Sequence, residues 1–224
     1  MHKKNRLIAI IIFVCGNICA AAQSSYTVLY NQKNYVDEYG RSPAPELKGA
    51  LYIMSDTMTV YRLAWKEKEL MKKADLGSRD LHHSIINPMK DDAYFEIVHL
   101  QNEDCYIKCP KDTSKWVIDT TKTIIILDKK CVAATRGDNV VWFAPSMPVN
   151  AGPGNVFGLP GLVLGVYNSR YSIVYLAYKI IPAVPEILPA HKTPIILLEV
   201  YRERQRLRQS NINNDLLLKK LNAD

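Results

Sequence analysis

The sequence predicts a mainly β protein of the α+β class, with an antiparallel curved sheet or half-barrel and a C-terminal helix. Most of the chain consists of short runs rich in β-branched and aromatic residues, separated by residues that favour turns. The connections between these runs are too short for crossover helices, so neighbouring strands are expected to be antiparallel. Residues 195–209 are instead rich in Leu, Glu, Arg and Gln, which favours a helix, and a short second helical segment is expected at residues 215–222.

The predicted strands follow one another from residue 26 onward. The stretch Arg136-Gly137-Asp138-Asn139 predicts a hairpin turn, because Gly and Asn tolerate positive φ. Residues 65–74 contain several Lys and Glu residues and predict an internal helix, which Gly77 can end. The strands predicted in this way are residues 26–30, 50–55, 58–63, 93–102, 106–108, 116–118, 123–127, 131–135, 139–144, 162–167 and 171–181.

The N-terminus has the pattern of a signal peptide. A basic start is followed by an apolar core at residues 7–14 and by Ala20-Ala21-Ala22, which a signal peptidase accepts. We therefore expect residues 1–22 to be a signal peptide cleaved after Ala22, and the protein to be exported to the periplasm or the outer membrane. The apolar core is shorter than the ~20 residues that a membrane span needs, so no transmembrane span is expected after cleavage.

Three further segments are predicted after the signal peptide. Residues 23–181 form one β-rich domain, residues 182–194 form a Pro-rich connector, and residues 195–224 form a helical tail. Cleavage removes three basic residues and no acidic ones, so the net charge falls from +7 to +4. This weak charge argues against a nucleic-acid partner. The arginines of the tail are either a solvated face or a contact for anionic lipid or an acidic partner.

Three cysteines remain after cleavage, at positions 105, 109 and 131. An odd number permits at most one internal bridge. Residues four apart on a strand lie ~13 Å from each other, too far for a disulfide. We therefore expect Cys131 to pair with Cys105 or Cys109 across neighbouring strands, or all three to be buried thiols. A zinc site would need a fourth ligand, and no metal site is predicted.

The run from Gly158 to Leu164 interrupts an apolar strand with two glycines and a proline. Leu159-Pro160-Gly161-Leu162 suits a type II turn, in which Gly161 would adopt positive φ. Such a turn would serve as a corner that leads into the buried strand at residues 162–167. A purely structural role therefore accounts for the run.

Between residues 116 and 167 a set of residues follows in a characteristic order, from Trp116 through Cys131, Arg136 and Trp142 to the Gly158–Leu164 run. In this order and near spacing the region resembles the GLPGLI family of bacterial envelope proteins, for which no biochemical activity is established. Two departures are Leu127-Asp128-Lys129 before the cysteine, where the family often has aromatic residues or glycine, and Val163 in place of isoleucine. The motif residues are Trp116, Cys131, Arg136, Trp142, Gly152, Pro153, Phe157, Gly158, Leu159, Pro160, Gly161, Leu162 and Leu164.

The sequence contains no established catalytic or cofactor-binding motif, so no catalytic residue and no cofactor are predicted. His82-His83 is the one pair of adjacent histidines, and a role as polar residues of a loop explains both of them. The favoured function is a non-enzymatic binding or carrier module for an apolar ligand or peptide. The alternatives are an adaptor of an outer-membrane transport or peptide-export assembly, and a hydrolase or redox enzyme without a recognisable motif.

Overall fold

The computed structural model describes residues 25–34, 46–54, 57–75, 84–100, 103–188, 195–207 and 209. The expected signal peptide, His82-His83 and the tail beyond residue 209 lie outside these residues. The strands are β1 (Tyr26–Asn34), β2 (Leu47–Met54), β3 (Met58–Ala64), β4 (Ala74–Asp75), β5 (Ile85–Pro88), β6 (Ala93–Leu100), β7 (Glu103–Pro110), β8 (Val117–Ile126), β9 (Lys129–Arg136), β10 (Asn139–Ala144), β11 (Leu162–Asn168), β12 (Ile173–Ile181), β13 (Ile187–Leu188) and β14 (Ile195–Leu197), and the helices are α1 (Glu67–Leu70) and α2 (residues 198–207).

Twelve of the described strands form one open, curved sheet in the order β14, β7, β6, β5, β3, β2, β1, β12, β11, β10, β9, β8. Every neighbouring pair is antiparallel except β14 and β7, which are parallel. The predicted fold class is therefore confirmed. Within residues 182–188 of the predicted connector, β13 pairs in parallel with β4 as a separate two-stranded sheet.

Several elements differ from the prediction: β5 was not predicted, several strands are longer than predicted, and β8 and the two helices differ as follows. Residues 116–118 and 123–127 belong to a single strand, β8, whose pairing with β9 is irregular between Asp119 and Thr123. The internal helix is confined to α1, since Ala74–Asp75 forms a strand instead. The C-terminal helix begins at residue 198 because the β-branched residues before it pair with the edge of β7.

The central strands are buried on both faces. Alternate residues point to opposite sides of a strand, and in β1 both Val28 and Leu29 are fully buried, in different apolar clusters. The cluster of Val28 also contains Leu51 of β2 and Cys131 of β9. These two strands are five steps apart in the sheet, which would separate them by ~24 Å if the sheet were flat. Their common cluster therefore reflects the curvature of the sheet.

The long segment at residues 145–161, between β10 and β11, runs beside the start of β11. The Leu162 N–H donates to the Met147 carbonyl and the Val163 N–H to the Ala151 carbonyl, both at 2.9 Å. Further along the segment, the Phe157 ring packs against Tyr94 of β6, with ring centroids 5.7 Å apart. The segment thus connects the β9–β11 side of the curved sheet with the β6–β7 side. Within the described part of the chain, no helix is long and apolar enough to cross a membrane.

Candidate functional site

Four motif residues meet at one place on the surface, although they come from three separate stretches of the chain. The guanidinium carbon of Arg136 lies 4.2 Å from the centroid of the Trp116 ring and 6.0 Å from that of the Phe157 ring. The Trp116 indole N–H donates to the Phe157 carbonyl oxygen at 2.9 Å. This cation–π stack and hydrogen bond join the end of β9, the approach to β8 and the segment at residues 145–161.

Gly158 completes this contact through its backbone. Its φ of +93° is a backbone conformation that residues other than glycine rarely adopt. A Cβ atom here would also lie 3.3 Å from the Trp116 indole nitrogen. The Gly158 N–H donates to the Asn150 side-chain oxygen, which holds the turn in place. The backbone conformation therefore favours glycine here, and an added Cβ would also press on the Trp116 indole.

Asp112 anchors Arg136 on its other side. The Arg136 Nε lies 3.4 Å from a carboxylate oxygen of Asp112, and a second guanidinium nitrogen donates to the Asp112 carbonyl at 3.2 Å. Hydrogen bonds from the Ser114 hydroxyl and backbone N–H, together with the charge of Arg136, lower the pKa of Asp112. Burial lowers the pKa of Arg136, and Asp112 opposes that effect. The guanidinium is thus held between a carboxylate and an indole ring.

These residues line an open surface cleft of about 360 Å³, called here the motif cleft. Its wall combines the Trp116–Arg136 stack with hydroxyl groups, a lysine and the apolar Ile118. Such a mixture suits recognition of a side chain with both apolar and polar parts. The motif cleft is lined by Asp112, Thr113, Ser114, Lys115, Trp116, Ile118, Arg136 and Gly158.

The remaining motif residues serve packing or turns. Trp142 is partly buried beside Gly165, Leu159 is buried in an apolar cluster with Val141 and Phe143 of β10, and Pro160 is exposed. Gly152 and Pro153 are buried, and a Cβ at Gly152 would lie 2.8 Å from the Val163 Cβ. The apolar cluster that contains Val28 and Leu51 is called here the central cluster, and its fully buried motif residues are Cys131, Leu162 and Leu164.

The type II turn predicted at Gly161 is wrong, because the positive φ in this run belongs to Gly158 and not to Gly161. Gly161 is needed for a different reason. A Cβ here would contact the Ala144 carbonyl oxygen and lie 2.8 Å from its carbon atom. The run therefore begins with a left-handed glycine and continues with a glycine that lets the chain approach β10 closely.

The predicted pairing of Cys131 with Cys105 or Cys109 is not formed; the structure has the other predicted arrangement, in which all three are buried thiols outside any disulfide. The prediction required neighbouring strands, but β9 and β7 lie near opposite ends of the sheet order. Cys131 belongs to the central cluster, whereas Cys109 packs with Tyr94 and Phe157. Burial raises the pKa of the Cys109 and Cys131 thiols, which keeps them in the less reactive protonated form.

Beside the motif cleft runs β8, the last strand of the sheet. Among the described strands it pairs only with β9, and four of its aliphatic residues are exposed: Val117 (69%), Ile118 (42%), Ile124 (36%) and Ile125 (68%). Leu127 and Asp128 form a two-residue hairpin loop, so Ile126 and Lys129 close the ladder as a hydrogen-bonded pair. Alternation then directs the N–H and C=O groups of Ile125 and Thr123 away from β9. The outer side of β8 is called here the β8 edge.

Sequence reasoning missed Asp112, Ser114 and Asn150, which hold the motif residues in place. They are ordinary polar loop residues in the sequence, and no spacing signal marks them. The described residues contain no group of three or more His, Cys, Asp or Glu side chains that could hold a metal ion. A second surface cleft of about 360 Å³ lies between the β6–β7 pair and α2, and Arg202 and Glu199 form part of its wall.

Comparison with known proteins gives a family match without an activity. Residues 98–165, from β6 to β11, match the model of a family described as protein of unknown function (Porph_ging). This stretch includes every motif residue from Trp116 to Leu164. A solved structure of a LolA superfamily protein from Nitrosomonas europaea is similar over 71% of this chain and 86% of that chain, with 8% identity and a TM-score of 0.33. No curated protein matches the chain.

Proposed function

We propose that this chain is an exported envelope protein of the GLPGLI type that works as a non-enzymatic binding module. Its ligand is an extended segment of another polypeptide, which adds as a strand to the β8 edge. The observation that carries the proposal is that β8 combines four exposed aliphatic side chains with a backbone edge that no other described strand covers. Natural proteins usually protect such an edge, because it readily pairs with other chains.

Backbone hydrogen bonds would supply the general affinity of this site. The outward N–H and C=O groups of Thr123 and Ile125 match the groups that an extended peptide presents, whatever its side chains. The irregularity at residues 120–122 shortens the usable edge: Asp119 accepts hydrogen bonds from the Thr121 N–H and hydroxyl at 3.1 and 2.6 Å. The continuously hydrogen-bonded part of the client is therefore expected to be short, at residues 123–126, and the rest of the client follows β8 toward Ile118.

Side-chain contacts would supply the selectivity. Ile118 lies both on β8 and in the wall of the motif cleft, so a strand added along β8 passes the mouth of the cleft. One side chain of the client can enter there, beside the Trp116–Arg136 stack. An adaptor of a transport or export assembly would use the same surface, with the partner protein supplying the strand.

The signal-peptide pattern at residues 1–22 and the position of the family match support the exported, GLPGLI-type part of the proposal. Both would be tested by N-terminal sequencing of the protein recovered from the envelope fraction. The expected first residue is Gln23. A protein that retains residues 1–22 and remains in the cytoplasm would overturn this part and leave the β8 edge without access to envelope clients.

Strand addition is tested by hydrogen exchange of the purified protein with a labelled peptide of alternating valine and threonine, about eight residues long. We expect slower exchange at the amides of Thr123 and Ile125 when the peptide binds. Ile125→Pro removes one outward donor without removing a bond to β9, so it should abolish peptide binding. Ile125→Thr shortens the same side chain but keeps the N–H, and it should retain binding.

Two results would contradict the proposal. Peptide binding that Ile125→Pro leaves unchanged would show that the peptide does not add as a strand to β8. A dimer, measured by light scattering, that Ile125→Pro dissociates would show that the occupant of the β8 edge is a second copy of this chain and not a client polypeptide.

A further inference from the structure

From the charges around the β8 edge we infer that the preferred client strand carries acidic as well as aliphatic side chains. This inference rests on the proposed strand addition and concerns its selectivity. The stretch at residues 112–136, which contains β8 and most of the motif cleft, has five basic and three acidic residues. The excess of positive charge is therefore local to the proposed binding surface.

Two of the acidic residues in this stretch are already paired. Asp112 pairs with Arg136, and Asp119 pairs with Lys122 at 3.2 Å. Three lysines, in contrast, form no ion pair with any described residue: Lys115, Lys129 and Lys130. Asp128, the third acidic residue, lies in the exposed hairpin loop. The surface thus has unpaired positive charge that a client can neutralise.

Two of these lysines are placed beside the exposed aliphatic residues. Lys130 lies directly opposite Ile125 in the β8–β9 register, so both side chains are on the same face of the sheet. Lys115 lines the motif cleft together with Ile118. A strand added to β8 lies ~4.8 Å away and would meet an aliphatic residue and a lysine near each end of the edge. Aliphatic residues with flanking carboxylates match that arrangement.

The inference is tested with two labelled peptides that share an alternating valine and threonine centre. One has glutamate at both ends and the other has lysine at both ends. We expect the glutamate peptide to bind about tenfold more tightly at low ionic strength, and the difference to shrink as salt is added. Fluorescence anisotropy with the purified protein measures both dissociation constants.

Single substitutions then locate the effect. Lys115→Gln and Lys130→Gln should each weaken binding of the glutamate peptide by about two- to fivefold and leave the lysine peptide unaffected or slightly tighter. Lys68→Gln is the matched control, since it removes the same charge from an exposed position on α1, which packs against β2 and β3. It should change neither dissociation constant.

The outcomes separate this inference from the proposed function. Equal affinity for the two peptides, with binding still abolished by Ile125→Pro, would overturn the charge preference and leave strand addition standing. Failure of both peptides to bind would overturn strand addition and the preference together. A loss that is the same for Lys68→Gln and Lys130→Gln would show a net-charge effect and would also overturn the inference.

Discussion

The Arg136 guanidinium is stacked on the Trp116 ring at 4.2 Å, and the Arg136 side chain is only 9% exposed although it stands at the end of a surface hairpin. The two residues are brought together because Trp116 precedes β8 and Arg136 ends β9, strands that pair with each other. The stack therefore holds the start of β8 in place and forms part of the wall of the motif cleft.

Arg136→Lys should destabilise the protein by about 1–2 kcal/mol, because an ammonium group keeps the charge but cannot stack as a plane or hold two contacts to Asp112. Urea unfolding followed by tryptophan fluorescence measures the loss. The matched control is Arg170→Lys: Arg170 is exposed and lies 5.5 Å from the Tyr171 ring. That variant should stay within about 0.5 kcal/mol of the parent. Equal losses of stability in the two variants would show that the Trp116–Arg136 stack stabilises the protein no more than an exposed arginine beside a tyrosine does.

Gly161→Ala should destabilise the protein by about 2–3 kcal/mol, because the added Cβ meets the backbone of Ala144, which cannot move without distorting β10. Gly154→Ala provides the comparison. Gly154 has a φ of +66° but nothing within 4 Å of a Cβ, so its replacement should cost only about 1 kcal/mol. Thermal unfolding ranks the two. A larger loss at Gly154 would mean that backbone conformation outweighs close approach in this loop.

Asp128→Gly should stabilise the protein. Leu127 and Asp128 both have positive φ, at 50° and 60°, in the β8–β9 hairpin, and glycine adopts this conformation without strain. The expected gain is about 0.5–1 kcal/mol, or a rise of about 1–4 °C in Tm. Asp128 is exposed, so no packing is lost, whereas Leu127 packs against the central cluster.

Asp138→Gly is the control for this prediction, since Asp138 does not have positive φ. It should give no gain in Tm. An equal rise in both variants would indicate an effect of removing the carboxylate charge rather than relief of strain in the turn, because added freedom of the unfolded chain would lower Tm.

Stability should fall above about pH 10. Burial raises the pKa of Tyr30 and Tyr61 well above the ordinary value of 10.0, and that of Tyr175 to about 12. In the unfolded chain these phenols ionise near pH 10, so their contribution to stability is complete below that pH and is lost as the pH rises toward the folded-state values. Tm measured from pH 8 to pH 11 should decrease steeply at the alkaline end.

Absorbance at 295 nm provides the second readout for the tyrosines. The buried phenols should ionise together with unfolding and not before it. Ionisation of every tyrosine near pH 10 with native circular dichroism would contradict the burial of Tyr30 and Tyr61.

Local sequence patterns predicted the elements that depend on local chemistry. The β9–β10 hairpin forms at Gly137, which has positive φ as expected. Most predicted strands coincide with observed ones, because alternating apolar residues can be buried only on a pleated surface. The merged strand β8 was missed, since the polar stretch at residues 119–123 looks like a loop but only interrupts the ladder with β9.

The motif was recognised in the sequence, but its roles could not be assigned there. Trp116 and Arg136 are 20 residues apart, and the partners that hold them, Asp112 and Asn150, are ordinary loop residues. The disulfide expectation failed because the positions of β7 and β9 in the sheet depend on strand order, which a single sequence does not encode locally.

The sequence by itself therefore determined the mainly β fold, the antiparallel hairpins, the helical C-terminal segment and the residues of the motif. These follow from side-chain periodicity and turn chemistry, which act over a few residues. Only the tertiary structure decided which motif residues meet, why Gly158 and Gly161 are glycines, and that β8 is an exposed edge. Those features depend on how the strands are ordered and how the sheet curves, because burial and contact between distant segments are set by the packing of the whole chain.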